Sequence, residues 1–92
     1  MNMRLDKYLK VSRIFKRRSV SKNVISFGNV TINNRKAKPA SEIKENDLIT
    51  LILGNKIVTI KVLSVKENIK KDEALSLYEI IDEKVINTSE DA

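Results

Sequence analysis

The spacing of apolar residues along the chain changes from a helical repeat to a strand-like alternation. Over Arg4–Arg13, positions placed at 100° per residue separate into an apolar and a charged side, which predicts a short amphipathic helix. The side expected to pack consists of Leu5, Tyr8, Leu9 and Ser12. The side expected to face water consists of Asp6, Lys7, Lys10 and Arg13.

A second helix is predicted over Ser19–Phe27. Ser19 suits an N-cap, and Gly28 stands just past the end, where a left-handed C-cap is easiest for glycine. The residues that recur at helical spacing and are expected to pack are Val20, Val24 and Phe27, with Ile25 beside them.

After Gly28 the pattern predicts a small antiparallel sheet. Strands are predicted at Val30–Ile32, Asp47–Leu53, Ile57–Val65 and Tyr78–Ile81, with a short helix over Lys70–Leu77. Asn33-Asn34 and Gly54-Asn55 carry the residues of two-residue hairpin turns. The fold class is therefore α+β, with a first domain over residues 3–65, a helix and strand extension over 66–86 and a disordered tail over 87–92.

Charge is distributed unevenly along the 92 residues. Eleven Lys or Arg and one acid, Asp6, precede Pro39, whereas seven basic and eleven acidic residues make up the rest. A focused positive field suits a polyanion such as RNA or DNA. The three cations before Ser19 also lie near the positive end of the second helix, where a docked anion would relieve their repulsion from the helix dipole.

The residue types that are missing exclude several classes of function. The chain has no Cys and no His, which removes disulfides, the usual zinc ligands, thiol nucleophiles and the commonest general base. Two glycines cannot build a P-loop or a dinucleotide-binding loop. No apolar run reaches the length of a signal peptide core or a membrane span, so a cytoplasmic protein without cofactor, metal or membrane contact is expected.

The amino-terminal half resembles the RNA-binding domain named for ribosomal protein S4. The resemblance covers roughly residues 3–53 and rests on both identity and spacing. It is carried by Arg4-Leu5-Asp6-Lys7-Tyr8-Leu9-Lys10-Val11-Ser12-Arg13, by Lys16-Arg17-Arg18-Ser19, by Gly28-Asn29-Val30-Thr31-Ile32-Asn33 and by Ala37-Lys38-Pro39. Within that superfamily the whole chain is most similar to the RqcP family, the stand-alone proteins of bacterial ribosome-associated quality control.

The resemblance implies a function and partners. RqcP-like proteins bind the large ribosomal subunit that retains a peptidyl-tRNA, and contact both rRNA and that tRNA. They act with an RqcH-type tailing factor that adds C-terminal alanine to the stalled chain, and they have no known active site. A non-enzymatic RNA-binding protein is therefore expected, and a monomer is the default expectation for one small domain.

Related fifteen-kilodalton heat-shock proteins, which act without tailing, are the alternative. They usually carry Trp at the position of Tyr8 and end in a longer basic tail, whereas this chain ends in an acidic one. Two further residues depart from the family pattern: Ser21 stands where alanine is usual, and Asn34 where a turn glycine is usual. Both departures concern local stability more than RNA binding.

The basic residues of the motif are the candidate RNA ligands. Guanidinium groups match phosphate oxygens in pairs, and ammonium groups add point charges. The predicted RNA-binding residues are Arg4, Lys7, Lys10, Arg13, Lys16, Arg17, Arg18, Lys22, Lys36 and Lys38. Asp6 is expected to orient a neighbouring arginine or to cap the first helix.

Other side chains are expected to be structural. Tyr8 and Phe27 are predicted to pack in the core, whereas Phe15 is left open between core and surface. The acidic residues of the second half are predicted to form a solvated face: Glu67, Asp72, Glu73, Glu79, Asp82 and Glu83. A DNA-binding helix-turn-helix protein and a carboxylate-based enzyme remain as alternatives, although few residues follow the motif to build a catalytic domain.

Overall fold

Two helices pack on an antiparallel sheet in the computed structural model, which describes residues 2–67 and 69–86. The elements in chain order are β1 Met3–Arg4, α1 Leu5–Val11, α2 Arg18–Ser26, β2 Val30–Ile32, β3 Arg35–Lys36, β4 Glu42–Ile43, β5 Leu48–Leu53, β6 Lys56–Val62, a 3₁₀ helix Lys71–Ser76 and β7 Tyr78–Val85. The predicted α+β class, with helices preceding a small antiparallel sheet and a helix and strand extension, is confirmed.

Five strands form the main sheet in the order β3-β2-β5-β6-β7, while β1 and β4 pair separately. Both predicted hairpin turns are present: Asn33 and Asn34 have φ of +51° and +68°, and Gly54 has φ of +61°. Positive φ at these positions gives a two-residue turn the twist that joins antiparallel strands. The turns hold β2 against β3 and β5 against β6, and thereby fix which residues face the helices.

One core lies between the helices and the inner face of the sheet. It buries the predicted apolar side of α1 completely, together with Ile25 of α2. From the sheet and the segments around it come Val30, Ile43, Ile49, Leu51, Val58, Ile60, Val62 and Leu77. The Tyr8 hydroxyl donates a hydrogen bond to the Leu77 carbonyl at 2.6 Å, and burial raises the pKa of Tyr8 far above its ordinary value, so the donor proton is retained. The predicted core position of Tyr8 is confirmed.

The predicted apolar face of α2 is confirmed for Ile25, which is buried, and for Val24, which packs against the core, but is wrong for the other two residues. Phe27 is 83% exposed and Val20 is 42% exposed, whereas the buried residues of the helix are Ser21 and Ile25. Polar contacts with α1 determine this orientation, since the Ser21 hydroxyl donates to the Asp6 backbone carbonyl at 2.7 Å. A pattern of apolar side chains does not reveal a helix face that docks through a serine.

Two further local predictions at the helix starts differ from the structure. The N-cap of α2 is Arg17 rather than Ser19, with extended backbone and no side-chain capping bond. Asp6 is fully buried rather than facing water, and α1 has no side-chain cap at its start. The docking of α1 on α2 places both the carboxyl of Asp6 and the hydroxyl of Ser21 inside the interface.

The last strand, β7, is longer than predicted. Its carboxyl half is charged, which hides a strand from a search for apolar alternation, but charges on an edge strand discourage unwanted pairing with other chains. A bulge at Ile81 shifts the register, because Ile60 lies opposite Ile80 while Thr59 lies opposite Asp82. The predicted Lys70–Leu77 helix is present as a 3₁₀ helix, and the predicted disordered tail lies outside the described residues.

Candidate nucleic-acid interface

The predicted RNA-binding residues lie at the end of β1, on α1, on the loop after it, on α2 and around β3. Together we call them the amino-terminal basic surface. Its exposed members are Arg4, Lys10, Arg13, Lys16, Arg17, Arg18, Lys22, Lys36 and Lys38, while Lys7 is half-buried. Lys7 forms an ion pair with Glu67, so its charge is already shared with a carboxylate of the carboxyl-terminal half.

Asp6 joins two of these cations from beneath the surface. Its carboxylate accepts hydrogen bonds from Arg4 Nε and Nη2 at 3.2 and 3.0 Å, and from Arg18 Nη2 at 3.2 Å. Burial alone would raise the pKa of Asp6, but the hydrogen bonds and charges of the two arginines outweigh it and hold the pKa below its ordinary value. The ionised carboxylate thus fixes two guanidinium groups whose outer edges remain exposed.

A buried serine completes the connection between the two helices. Ser21 is fully buried, and its hydroxyl donates a hydrogen bond to the Asp6 backbone carbonyl. The buried hydroxyl, which alanine would not have, is therefore satisfied. The departure from the usual alanine therefore carries its own compensating hydrogen bond. Asp6 of α1 thus contacts α2 twice: its carboxylate accepts from Arg18, and its backbone carbonyl accepts from Ser21. These two bonds join the two helices that carry the basic surface.

Stability is expected to fall in acid as Asp6 takes up a proton. Because the folded chain lowers the pKa of Asp6 from 3.8, the stabilisation is fully present above that value and lost as the pH falls through the lower, folded pKa. In urea unfolding at neutral pH, the wild type should have a larger free energy of unfolding than Asp6→Asn. The difference between the two should become smaller as the pH falls below 3.8. A difference in unfolding free energy that stayed constant with pH would contradict the stabilising role of the ionised Asp6 carboxylate.

Arg13 adopts a backbone conformation that arginine rarely takes. It follows the C-cap residue Ser12 with φ of +64°, and its N–H bonds to the Lys10 carbonyl at 3.0 Å. Glycine is the usual residue at such a position, because a Cβ in the left-handed region costs energy. An arginine in a strained backbone conformation at a charged surface indicates a functional role for its guanidinium group.

Arg13 also lines a groove of about 320 Å³ that lies between the end of α1 and two residues of the other half, Glu67 and Ile69. Lys10 and Lys16 contribute two further cations, and half-buried Phe15 contributes an aromatic wall. Phe15, left open by the sequence, therefore lies at the border of core and surface. Three cations around one concave site can hold phosphate oxygens from several directions.

Replacing Arg13 by glycine is expected to separate stability from binding. Arg13→Gly should raise the free energy of unfolding by up to about 1 kcal/mol, because the left-handed backbone is relieved. It should lower affinity for structured RNA by about tenfold, the cost of one charged hydrogen bond. Thermal unfolding and filter binding measure the two effects.

Asn46→Gly is the matched control for Arg13→Gly. Asn46 also has a positive φ, +76°, but it is uncharged and lies in the loop before β5. We expect a smaller gain in stability, since asparagine tolerates this conformation, and unchanged RNA affinity. Equal loss of RNA affinity in both variants would remove the role given to the Arg13 guanidinium.

Lys36 lies at the opposite end of α2 from Arg17. A Cβ on Gly28, whose φ is +86°, would stand 3.3 Å from Lys36 Cε and 3.7 Å from Lys36 Nζ. The ammonium is therefore close to the helix C-terminus, where the dipole favours a cation. The nine residues of α2 make it about 13 Å long, and Arg17 and Lys36 lie at its two ends. The cations therefore form an extended surface rather than one cluster.

A second groove adds two cations that the sequence reasoning did not include. It has a volume of about 530 Å³ and contains Arg35, Lys36 and Lys44 beside the buried carboxylate of Asp47. Arg35 could have been found by its position next to Lys36. Lys44 carried no such signal, because it belongs to the half of the chain with a negative net charge.

The acidic residues predicted to be solvated are exposed, although Glu67 lies against the basic surface through its ion pair with Lys7. Glu67, Asp72, Glu73, Glu79, Asp82 and Glu83 are all exposed. Within residues 2–67 and 69–86, no three carboxylates come together as a metal site would require. No helix of the described part is long and apolar enough to cross a membrane.

Known proteins share both the sequence and the fold. The S4 domain family matches residues 3–49. The RQC P-site tRNA stabilizing factor of Halalkalibacterium halodurans is 46% identical over 88 residues, covering 96% of this chain and 100% of that protein. The protein of the same name from Streptococcus pneumoniae is 49% identical over 81 residues, covering 88% of this chain and 92% of that protein.

A solved structure shows the same architecture. The trimeric structure of Vibrio cholerae heat shock protein 15 matches with a TM-score of 0.80 and 32% sequence identity, covering 87% of this chain and 82% of that chain. Identity is thus higher to the stabilizing factors than to this heat-shock relative. The resemblance to the RqcP family is confirmed: the chain contains an S4 domain and belongs to the family of RQC P-site tRNA stabilizing factors.

Proposed function

We propose that the chain binds RNA through its amino-terminal basic surface and thereby holds a peptidyl-tRNA on the large ribosomal subunit during ribosome-associated quality control. One observation carries the proposal. Between Asp6 and Glu42 the sequence has ten Lys or Arg and no carboxylate, and Asp6 itself is buried under Arg4 and Arg18. This part of the chain therefore presents many cations and no exposed acid of its own to solvent, and Glu67 of the other half pairs with Lys7 alone among them.

The contacts are made to the RNA backbone rather than to base edges. Arg17 and Arg18 stand at the start of α2, where free backbone N–H groups and the helix dipole add to the attraction for phosphate. Asp6 holds Arg18 in place, which lowers the entropy lost when its guanidinium pairs with phosphate. Recognition then follows RNA shape, with rRNA and tRNA both as ligands.

The tRNA role is inferred from the relatives, whose name is P-site tRNA stabilizing factor. The chain would keep the tRNA in place between additions by an RqcH-type tailing factor and perform no chemistry itself. Sedimentation through a sucrose gradient tests this: the protein should travel with large subunits that carry peptidyl-tRNA at low salt. Its absence from those subunits would overturn the proposal.

A heat-shock-type role without tailing is the second candidate, favoured by the structural match to heat shock protein 15. A deletion strain separates the two candidates, because loss of alanine tails on stalled chains is expected only for the first. We propose a monomer for this chain, although the heat-shock relative is described as trimeric. Light scattering of the purified protein would decide the oligomeric state.

A further inference from the structure

Phe27 is a large apolar side chain that the fold leaves in water. It occupies the C-cap of α2 and is 83% exposed, while the core is closed by Ser21 and Ile25 on another side of the helix. A single exposed apolar residue is common on protein surfaces and by itself indicates nothing. Its surroundings make Phe27 different.

The backbone under the ring is held firmly. The N–H of Phe27 donates to the Asn23 carbonyl at 3.0 Å, and the N–H of Gly28 donates to the Ile25 carbonyl at 2.9 Å. The Asn29 carbonyl in turn accepts the N–H of Ile52 from β5 at 2.9 Å, which ties the end of α2 to the sheet. The aromatic ring therefore projects from a fixed point.

A cation lies beside that point. Lys36 Nζ is 3.7 Å from the position of a Cβ on Gly28, the residue directly after Phe27. No Asp or Glu occurs between Lys7 and Ser41, so neither α2 nor the β2–β3 hairpin carries a carboxylate that could repel a phosphate. An exposed aromatic residue is thus followed directly by a residue that an ammonium group approaches, and the carboxylates nearest to that ammonium, Glu42 and Asp47, line the groove on the other side of Lys36 together with Arg35 and Lys44.

This pair matches the two chemical parts of an unpaired nucleotide. Every base has a π-face that can stack on an aromatic ring, and the phosphate next to it needs a cation. We infer that Phe27 is a stacking platform for an unpaired RNA base, with Lys36 holding the adjacent phosphate. The inference rests on the proposed RNA binding and adds single-stranded RNA as a ligand class at the far end of α2.

Tryptophan at this position gives a direct probe, because the chain contains none of its own. The fluorescence of a Phe27→Trp variant is expected to be quenched saturably by a short single-stranded oligoadenylate. Adding Lys36→Ala should shift the titration to higher RNA concentration. Leu75→Trp is the matched control: Leu75 is 74% exposed but lies on the 3₁₀ helix among acidic residues, so no quenching is expected.

Phe27→Leu keeps an apolar side chain and removes the ring. It should lower affinity for the single-stranded oligonucleotide by about tenfold and change affinity for duplex RNA by less than about twofold. Unquenched fluorescence, or unchanged affinity of Phe27→Leu, would overturn the stacking platform while leaving the proposed function intact. Self-association of the wild type that Phe27→Leu abolishes would assign the ring to a protein contact instead. Failure of the wild type to bind any RNA would overturn the proposed function itself.

Discussion

Alanine at both Arg17 and Arg18 is expected to weaken binding to structured RNA by about a hundredfold or more, because two charged hydrogen bonds to phosphate are lost. The protein should remain folded. Asp6 keeps both bonds from Arg4, and removing two cations from the start of α2 relieves their repulsion from the helix dipole. Filter binding and far-ultraviolet circular dichroism measure the two outcomes.

Lys70→Ala with Lys71→Ala provides the matched control for this double variant. These two adjacent cations are exposed and lie at the start of the 3₁₀ helix, on the acidic half of the chain. Their loss changes the net charge by the same amount and should alter RNA affinity by less than about threefold, since only the long-range field is reduced. Equal losses in the two double variants would show that net charge, and not the position of Arg17 and Arg18, determines binding.

Truncation of Tyr8 is expected to cause the largest loss of stability. Tyr8→Ala should lower the free energy of unfolding by about 3–5 kcal/mol, because a fully buried ring leaves a cavity beneath Leu77. A chain of this size has only about 5–14 kcal/mol of total stability, so the variant should be close to unfolding at 25 °C. Urea denaturation measures the difference.

Tyr8→Phe separates the ring from its hydroxyl. The Leu77 carbonyl also accepts N–H groups from Leu63 at 2.8 Å and Ser64 at 3.2 Å, so it remains bonded when the hydroxyl is removed. The expected loss is therefore only about 1 kcal/mol. Leu75→Ala, at an exposed site, should change stability by less than about 0.5 kcal/mol, and a similar small change for Tyr8→Ala would contradict the core position of the ring.

The sheet could be predicted from the sequence because its signals are local. Asn33-Asn34 and Gly54 impose the turns, and alternation along β6 places Val58, Ile60 and Val62 on the buried face. The predicted length of β7 is too short, because the charged residues in its second half hide the apolar alternation of a strand. The same charges discourage other chains from pairing with this edge of the sheet. Turn residues and apolar alternation therefore predict those parts of the sheet that neighbouring residues in the sequence determine.

Contacts between distant segments could not be predicted in the same way. The buried Ser21 hydroxyl donates to the backbone carbonyl of Asp6, fifteen residues earlier in the chain, and the spacing of apolar residues does not encode that contact. The basic residues themselves were predictable from the family motif. The groove that unites Lys10, Arg13 and Lys16 was not, because Glu67 and Ile69 complete it from the other half of the chain.

The salt dependence of RNA affinity tests the central claim, a backbone contact made by the amino-terminal basic surface, most directly. With about six phosphates neutralised, the logarithm of the binding constant should fall against the logarithm of salt concentration with a slope of roughly −4 to −5. The slope should become shallower by about 2 in the Arg17→Ala, Arg18→Ala variant and stay unchanged in the Lys70→Ala, Lys71→Ala variant. A slope near zero for the wild type, or the same shallow slope for both variants, would contradict the account.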